Sequence, residues 1–190
     1  MFSKLLDWDK KWLVSWNNLA ESSGFLKASV KFTAQYLIYL LPIIFVILWF
    51  YSAQAKKVAL RAVASAGLGL GITMIIGKSI NRPRPFESGG VQEILFHRPD
   101  YSFPSDHTTV LVAIAVSFYL SGYKKLSYLM FILATIISVA RIAAGVHYPS
   151  DILAGAVVGI AAAFIIKALD GPLEYVYQFI IGIARRLMLA

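Results

Sequence analysis

The chain has no cysteine, and only 10 of its 190 residues are acidic. The first absence excludes a disulfide scaffold, a thiolate nucleophile and a cysteine-ligated zinc site. Charge of either sign is scarce as well, at 15% of residues against roughly 25% in ordinary soluble domains. A disordered chain needs more charge and less apolar surface, and 13 Gly with 7 Pro is far from a collagen composition. What is abundant is apolar: 58% of residues are hydrophobic. They come in blocks, which marks an integral membrane protein of the all-α class, and 190 residues suit a single domain. Eighteen Lys and Arg leave a net charge of +8. In a membrane chain, that excess suits anionic lipid headgroups or a phosphate substrate better than nucleic acid, which is not expected as a partner.

Five uncharged blocks organise the chain: residues 32–55, 62–77, 108–123, 126–140 and 152–166. The last four hold 15 or 16 residues each. At ~1.5 Å per residue they cover about 24 Å of a hydrocarbon core about 30 Å thick. Flanking polar residues must complete them. Lys56, Lys57, Lys124, Lys125 and Lys167 can snorkel at one end, while Lys78, His107, Arg141 and Asp151 fall at the other. Charges sunk into a helical bundle are costly and mark functional sites. The chain therefore divides into an interfacial helix at 1–31, a bundle of spans at 32–168, and a segment at 172–190 that reads as an interfacial helix or a sixth span. Trp8, Trp12 and Trp16 recur every four residues, which places them on one helical stripe at the membrane surface. No apolar region suited to a cleavable signal follows the first basic residue. Residues 82–103, rich in Pro and containing Gly89-Gly90, read as an exposed loop. Gly67, Gly69 and Gly71, with Gly155 and Gly159, read as small-residue helix packing rather than nucleotide binding. Basic residues, Arg98 among them, divide almost evenly between the two faces, so charge alone leaves the orientation open.

Three clusters share one end of the spans. The first, Lys78 to Pro85, carries Lys78, Arg82 and Arg84. The second is Phe103-Pro104-Ser105-Asp106-His107, and the third runs from Arg141 through His147 to Asp151. Together they offer cations, a hydroxyl, two imidazoles and two carboxylates to one pocket. Guanidinium forks match phosphate oxygens bidentately, a lysine adds a point charge, and Ser105 sits where a helix N-terminus can hold an anion. Such clamps suit phosphoryl transfer. The i, i+4 spacing of His147 and Asp151 also allows a metal pair, although Pro149 favours a turn entering a helix there.

These blocks resemble the type-2 phosphatidic acid phosphatase superfamily, whose pattern is K-x6-R-P, P-S-G-H and S-R-x5-H-x3-D. Arg84-Pro85, Pro104-Ser105-x-His107 and Arg141-x5-His147-x3-Asp151 match in order. Three departures stand out. Lys78 precedes Arg84 by six residues instead of seven, Ala140 replaces the Ser before Arg141, and Asp106 replaces Gly. The P-S-D-H form is similar to the bacterial undecaprenyl-diphosphate phosphatases. The resemblance implies His147 as nucleophile, Asp151 as the partner of its other ring nitrogen, and His107 as general acid and then base. Lys78, Arg84, Ser105, Asp106 and Arg141 would bind the phosphate, with Arg82 as an auxiliary cation. It implies no cofactor or metal, and a multi-pass cell-membrane location with an extracytoplasmic site. The implied substrate is a polyprenyl diphosphate or another lipid phosphate, such as phosphatidic acid, phosphatidylglycerol phosphate or lipid A. A transporter or a binding protein without turnover is the reading from another class; no inverted repeat supports transport.

Overall fold

The computed structural model describes residues 2–95 and 100–187, with side chains from residue 7 onward. Arg98, counted in the charge balance, and the ends of the 1–31 and 172–190 segments lie outside the described residues. The described chain is all-helical, with eight α-helices: α1 (Phe2–Glu21), α2 (Gly24–Tyr36), α3 (Leu40–Tyr51), α4 (Ala53–Ile80), α5 (Asp106–Leu120), α6 (Lys124–Ala143), α7 (Pro149–Ala168) and α8 (Asp170–Arg186).

Among the described residues, four segments are long and apolar enough to cross a membrane: Gly24–Tyr51, Ala53–Ser88, Lys124–Ala143 and Pro149–Ala168. The fifth apolar segment, α5, is shorter at 15 residues. It occupies the centre of the bundle, packed against α4, α6 and α7, and every residue from Leu111 to Phe118 is buried. Close approach to α5 depends on small residues. A Cβ at Gly155 or Gly159 would stand 2.6 Å from the carbonyl oxygen of Ser105 or Thr109, and one at Gly69 would stand 2.7 Å from Thr109 Cγ2. Gly67 and Gly71 face open space, so of that triplet only the middle glycine packs as expected.

The N-terminal segment departs from the expected single helix over 1–31. Ser23 caps a new helix, accepting from Leu26 N–H at 3.2 Å, and α2 belongs to the first span. That span therefore starts at Gly24 rather than at residue 32. It is interrupted by a 3-10 turn at Leu37–Tyr39, because Pro42 lacks an N–H and its ring crowds the carbonyl four residues back. On α1, Trp8 and Trp12 are exposed as the stripe predicts, Trp16 is half-buried, and Asp9, Leu13, Asn17 and Ala20 form a buried face about 100° round the helix. That face docks on α6 and α7, so α1 covers one end of the bundle.

At the far end α8 is amphipathic. Tyr177, Ile181 and Ala184 are buried at helical spacing, while Asp170 pairs with Arg61 and Lys167, and Glu174 with Lys57. Among the described residues it is not one of the segments long and apolar enough to cross.

Candidate active site

Each functional side chain sits where a helix starts or stops at the α1 end. Helix α4 ends at Asn81, which adopts a left-handed conformation (φ 47°) and donates its N–H to Gly77 at 2.8 Å. The Arg-Pro-Arg-Pro stretch follows, its prolines barring further helix. Ser105 stands at the N-cap of α5, placing Asp106 and His107 in the first turn. Arg141 lies in the last turn of α6. Gly145 (φ 77°) then turns the chain tightly enough that a Cβ would meet Gln92 O at 2.6 Å. This delivers His147 immediately before α7.

Arg84, Asp106, His107, Arg141 and His147 line one cavity of about 60 Å³, together with Asp100, Tyr101 and Pro104. The residues brought together come from all three sequence clusters. Arg84 and Arg141 are buried there. Arg84 donates through Nε to Asp100 at 2.6 Å and through Nη1 to the Val146 carbonyl at 2.9 Å, with His147 Nε2 at 3.5 Å. Arg141 Nη1 lies 3.4 Å from His107 Nε2. Asp106 accepts from the Thr73 hydroxyl at 2.7 Å.

His147 is buried, and its Nδ1 lies 2.9 Å from the Ser102 carbonyl oxygen. A carbonyl only accepts, so Nδ1 carries the proton and Nε2 keeps its lone pair, turned toward Arg84 in the cavity. Burial holds the imidazole well below its ordinary range; Arg141, Arg84 and His107 lower it further. The ring is thus a neutral base among cations, which is what a nitrogen nucleophile requires.

Four expected site residues lie elsewhere. Asp151 is completely buried behind the histidine, with Oδ2 at 3.6 Å from Nδ1, beyond hydrogen-bond reach. The Ser102 carbonyl has taken the place assigned to it. Instead, Asp151 accepts from Tyr148 N–H at 2.8 Å and from Arg82 at 2.6 Å. Ser105 is buried outside the lining, its N–H donating to the Asp151 carbonyl and its hydroxyl accepting from Thr108. Lys78 is exposed and outside the cavity, because the missing residue rotates it about 100° around α4. Arg82 is a brace rather than part of the lining. It donates to Asp151, Ser150 and Asp9, and its guanidinium stacks 3.8 Å from the Tyr148 ring centre.

Asp9 is the largest omission of the sequence reading. It is almost fully buried and accepts from Arg82, from Ser150 N–H at 2.9 Å, and from the Ser150 hydroxyl. Asn17, two turns on, bridges the Gln92 and Ala143 carbonyls at 2.9 Å each. The pattern Asp9, Leu13, Asn17, Ala20 was a readable signal: polar groups at helical spacing on the face next to the Trp stripe.

The family described as PAP2 superfamily matches residues 58–172. A Bacillus subtilis protein named undecaprenyl-diphosphatase BcrC is 31% identical over 150 residues, covering 78% of this chain and 77% of that one. A Bacillus licheniformis protein named bacitracin transport permease protein BcrC is 30% identical over 166 residues, covering 86% and 81%. Among solved structures, Aquifex aeolicus LpxE superposes with a TM-score of 0.68 at 24% identity, over 83% of this chain and 93% of that one. A PAP2-type phosphatidylglycerolphosphate phosphatase from Bacillus subtilis gives 0.66 at 22%, over 90% and 88%. At those identities the two structures speak for the fold. With the three motif blocks closing on one cavity, this chain belongs to the PAP2 superfamily and is a multi-pass membrane phosphatase.

Proposed function

We propose that the protein hydrolyses undecaprenyl diphosphate to undecaprenyl phosphate through a phosphohistidine at His147, on the extracytoplasmic face. The observation that carries the chemistry is the His147 tautomer. With Nδ1–H committed to the Ser102 carbonyl, Nε2 faces a cavity whose Arg84 and Arg141 suit phosphate oxygens. Nε2 attacks the terminal phosphorus, and the bond to the bridging oxygen breaks. His107, 3.4 Å from Arg141 Nη1 in the same cavity, gives the departing oxygen a proton and later takes one from the attacking water. Asp151 supports His147 by anchoring the Tyr148 N–H beside it. The two arginines neutralise charge that builds on the equatorial oxygens, so turnover needs no metal.

The P-S-D-H block and the relatives whose names carry undecaprenyl-diphosphatase support this substrate. Phosphate release by the purified chain from undecaprenyl diphosphate, phosphatidic acid and phosphatidylglycerol phosphate tests it. Preference for the diphosphate, persisting in EDTA and blocked by vanadate, is the expected result. Preference for a monoester would replace the substrate, and loss on chelation restored by a divalent cation would replace the mechanism. For the side of action, a Cys placed at exposed Ser88 should react with an impermeant maleimide in intact cells.

A further inference from the structure

The K-x6-R-P pattern puts a lysine seven positions before Arg84, and this chain has Gly77 there. Position 77 faces the site. Thr73, one turn earlier on the same side of α4, donates to the cavity residue Asp106 at 2.7 Å. Gly69, another turn back, meets Thr109 of α5. What occupies the space in front of Gly77 is the ring of Tyr101. A Cβ on Gly77 would lie 2.2 Å from Tyr101 Cδ2 and Cε2 and 2.8 Å from Cζ. No side chain at 77 could coexist with that ring in its present place. Tyr101 also lines the cavity beside Arg84, Asp106, His107, Arg141 and His147. Among the described residues nothing hydrogen-bonds its hydroxyl.

We infer that Tyr101 is a phosphate-binding residue of this site, its hydroxyl donating to a phosphate oxygen in the role that the family pattern gives to a lysine at position 77. The absent lysine and the tyrosine seated on the glycine are then one exchange: a neutral donor on a loop for a cation on a helix. Burial, followed by the charges of Asp106 and Asp100, holds the phenol above its ordinary range, so it keeps its proton to donate. The inference deepens the phosphatase reading by naming a ligand of the same phosphate.

The test is binding of inorganic phosphate to the purified full chain in detergent, followed by 31P NMR, alongside lipid phosphate turnover. Tyr101→Phe keeps the ring on Gly77 and removes only the hydroxyl. It should weaken phosphate about 10-fold, the scale of a hydrogen bond to a charged group. Tyr101→Ala combined with Gly77→Lys should restore binding to within a few-fold of the original and steepen its salt dependence, because a cation replaces a neutral donor. Lys78→Ala should leave phosphate binding unchanged. Unaltered binding in folded Tyr101→Phe, or a loss in Lys78→Ala in its stead, would overturn the inference. If phosphate binds and Tyr101→Phe weakens it while no lipid phosphate is turned over, the phosphatase reading fails and the Tyr101 assignment stands.

Discussion

Arg82 reaches Asp151 at 2.6 Å with one guanidinium nitrogen and Asp9 at 2.9 Å with the other. One side chain thereby ties the N-terminal helix to the first turn of α7, directly behind His147. Asp9 and Asp151 are both buried, so their charges depend on this shared cation; breaking a buried pair typically costs about 3–5 kcal/mol. Asp9→Asn keeps the shape and removes the charge. Turnover is expected to fall about 10-fold or more, as α7 and His147 lose their brace. Inorganic phosphate should still bind nearly as before, since Arg82 does not line the cavity. Steady-state kinetics set beside phosphate binding checks this; equal losses in both would show that Asp9 merely holds the fold.

That brace also shows where the sequence stopped being informative. His107 and Arg141 were legible because each borders an apolar block, while Arg84 and His147 lie several residues from the nearest block and were legible only through the motif spacing they share with Pro85, Arg141 and Asp151. Asp151 was found but its contact was not, because a backbone carbonyl has no sequence signature and Ser102 O competes with any carboxylate. Lys78 was misplaced by one residue, which on a helix is about 100°. The Trp8 and Trp12 stripe drew α1 onto the membrane surface, yet its other face carries Asp9 and Asn17 into the catalytic end. An apolar stripe names one face of a helix and is silent on the other.

The glycines differ in what surrounds them, and so should their alanine variants. Gly159→Ala would press a methyl to 2.6 Å from the Thr109 carbonyl and 3.0 Å from Ala113 N, both backbone atoms. Helix α7 must then move away from α5, an overpacking cost of about 1–3 kcal/mol. Gly67→Ala meets open space and gains helix propensity. A lower thermal midpoint for Gly159→Ala, with an unchanged or higher one for Gly67→Ala, is the expected pair in detergent. Equal effects would mean that α5 and α7 are not in such close contact.

His147 gives a pH dependence of defined sign. Its folded-state proton affinity is depressed, first by burial and then by Arg141, Arg84 and His107. The unfolded chain therefore takes up a proton near pH ~6.5 that the folded chain refuses. The stability linked to this group is complete above that pH and declines as pH falls below it. Unfolding measured from pH 7.5 down to 5 should show this loss, and His147→Gln should flatten it. A histidine variant with the same acid sensitivity as the original would assign the effect to other groups.

The two active-site histidines should separate by substrate. His147→Ala is expected to abolish both the covalent phosphoenzyme and turnover, since it removes the nitrogen that attacks in the proposed mechanism. In the proposed mechanism His107 only moves protons, and general acid catalysis is worth about 10²–10⁴-fold. A lipid diphosphate expels a phosphate group, whose low proton affinity lessens the need for that acid. His107→Ala should therefore lose more activity on a lipid monophosphate than on a diphosphate. The same variant should still form phosphoenzyme from the diphosphate but hydrolyse it slowly, because water then lacks its base. Acid-quench trapping with labelled substrate reads both steps. Label that accumulates in the His107 variant and is missing from the His147 variant fits these roles, while the reverse would exchange them.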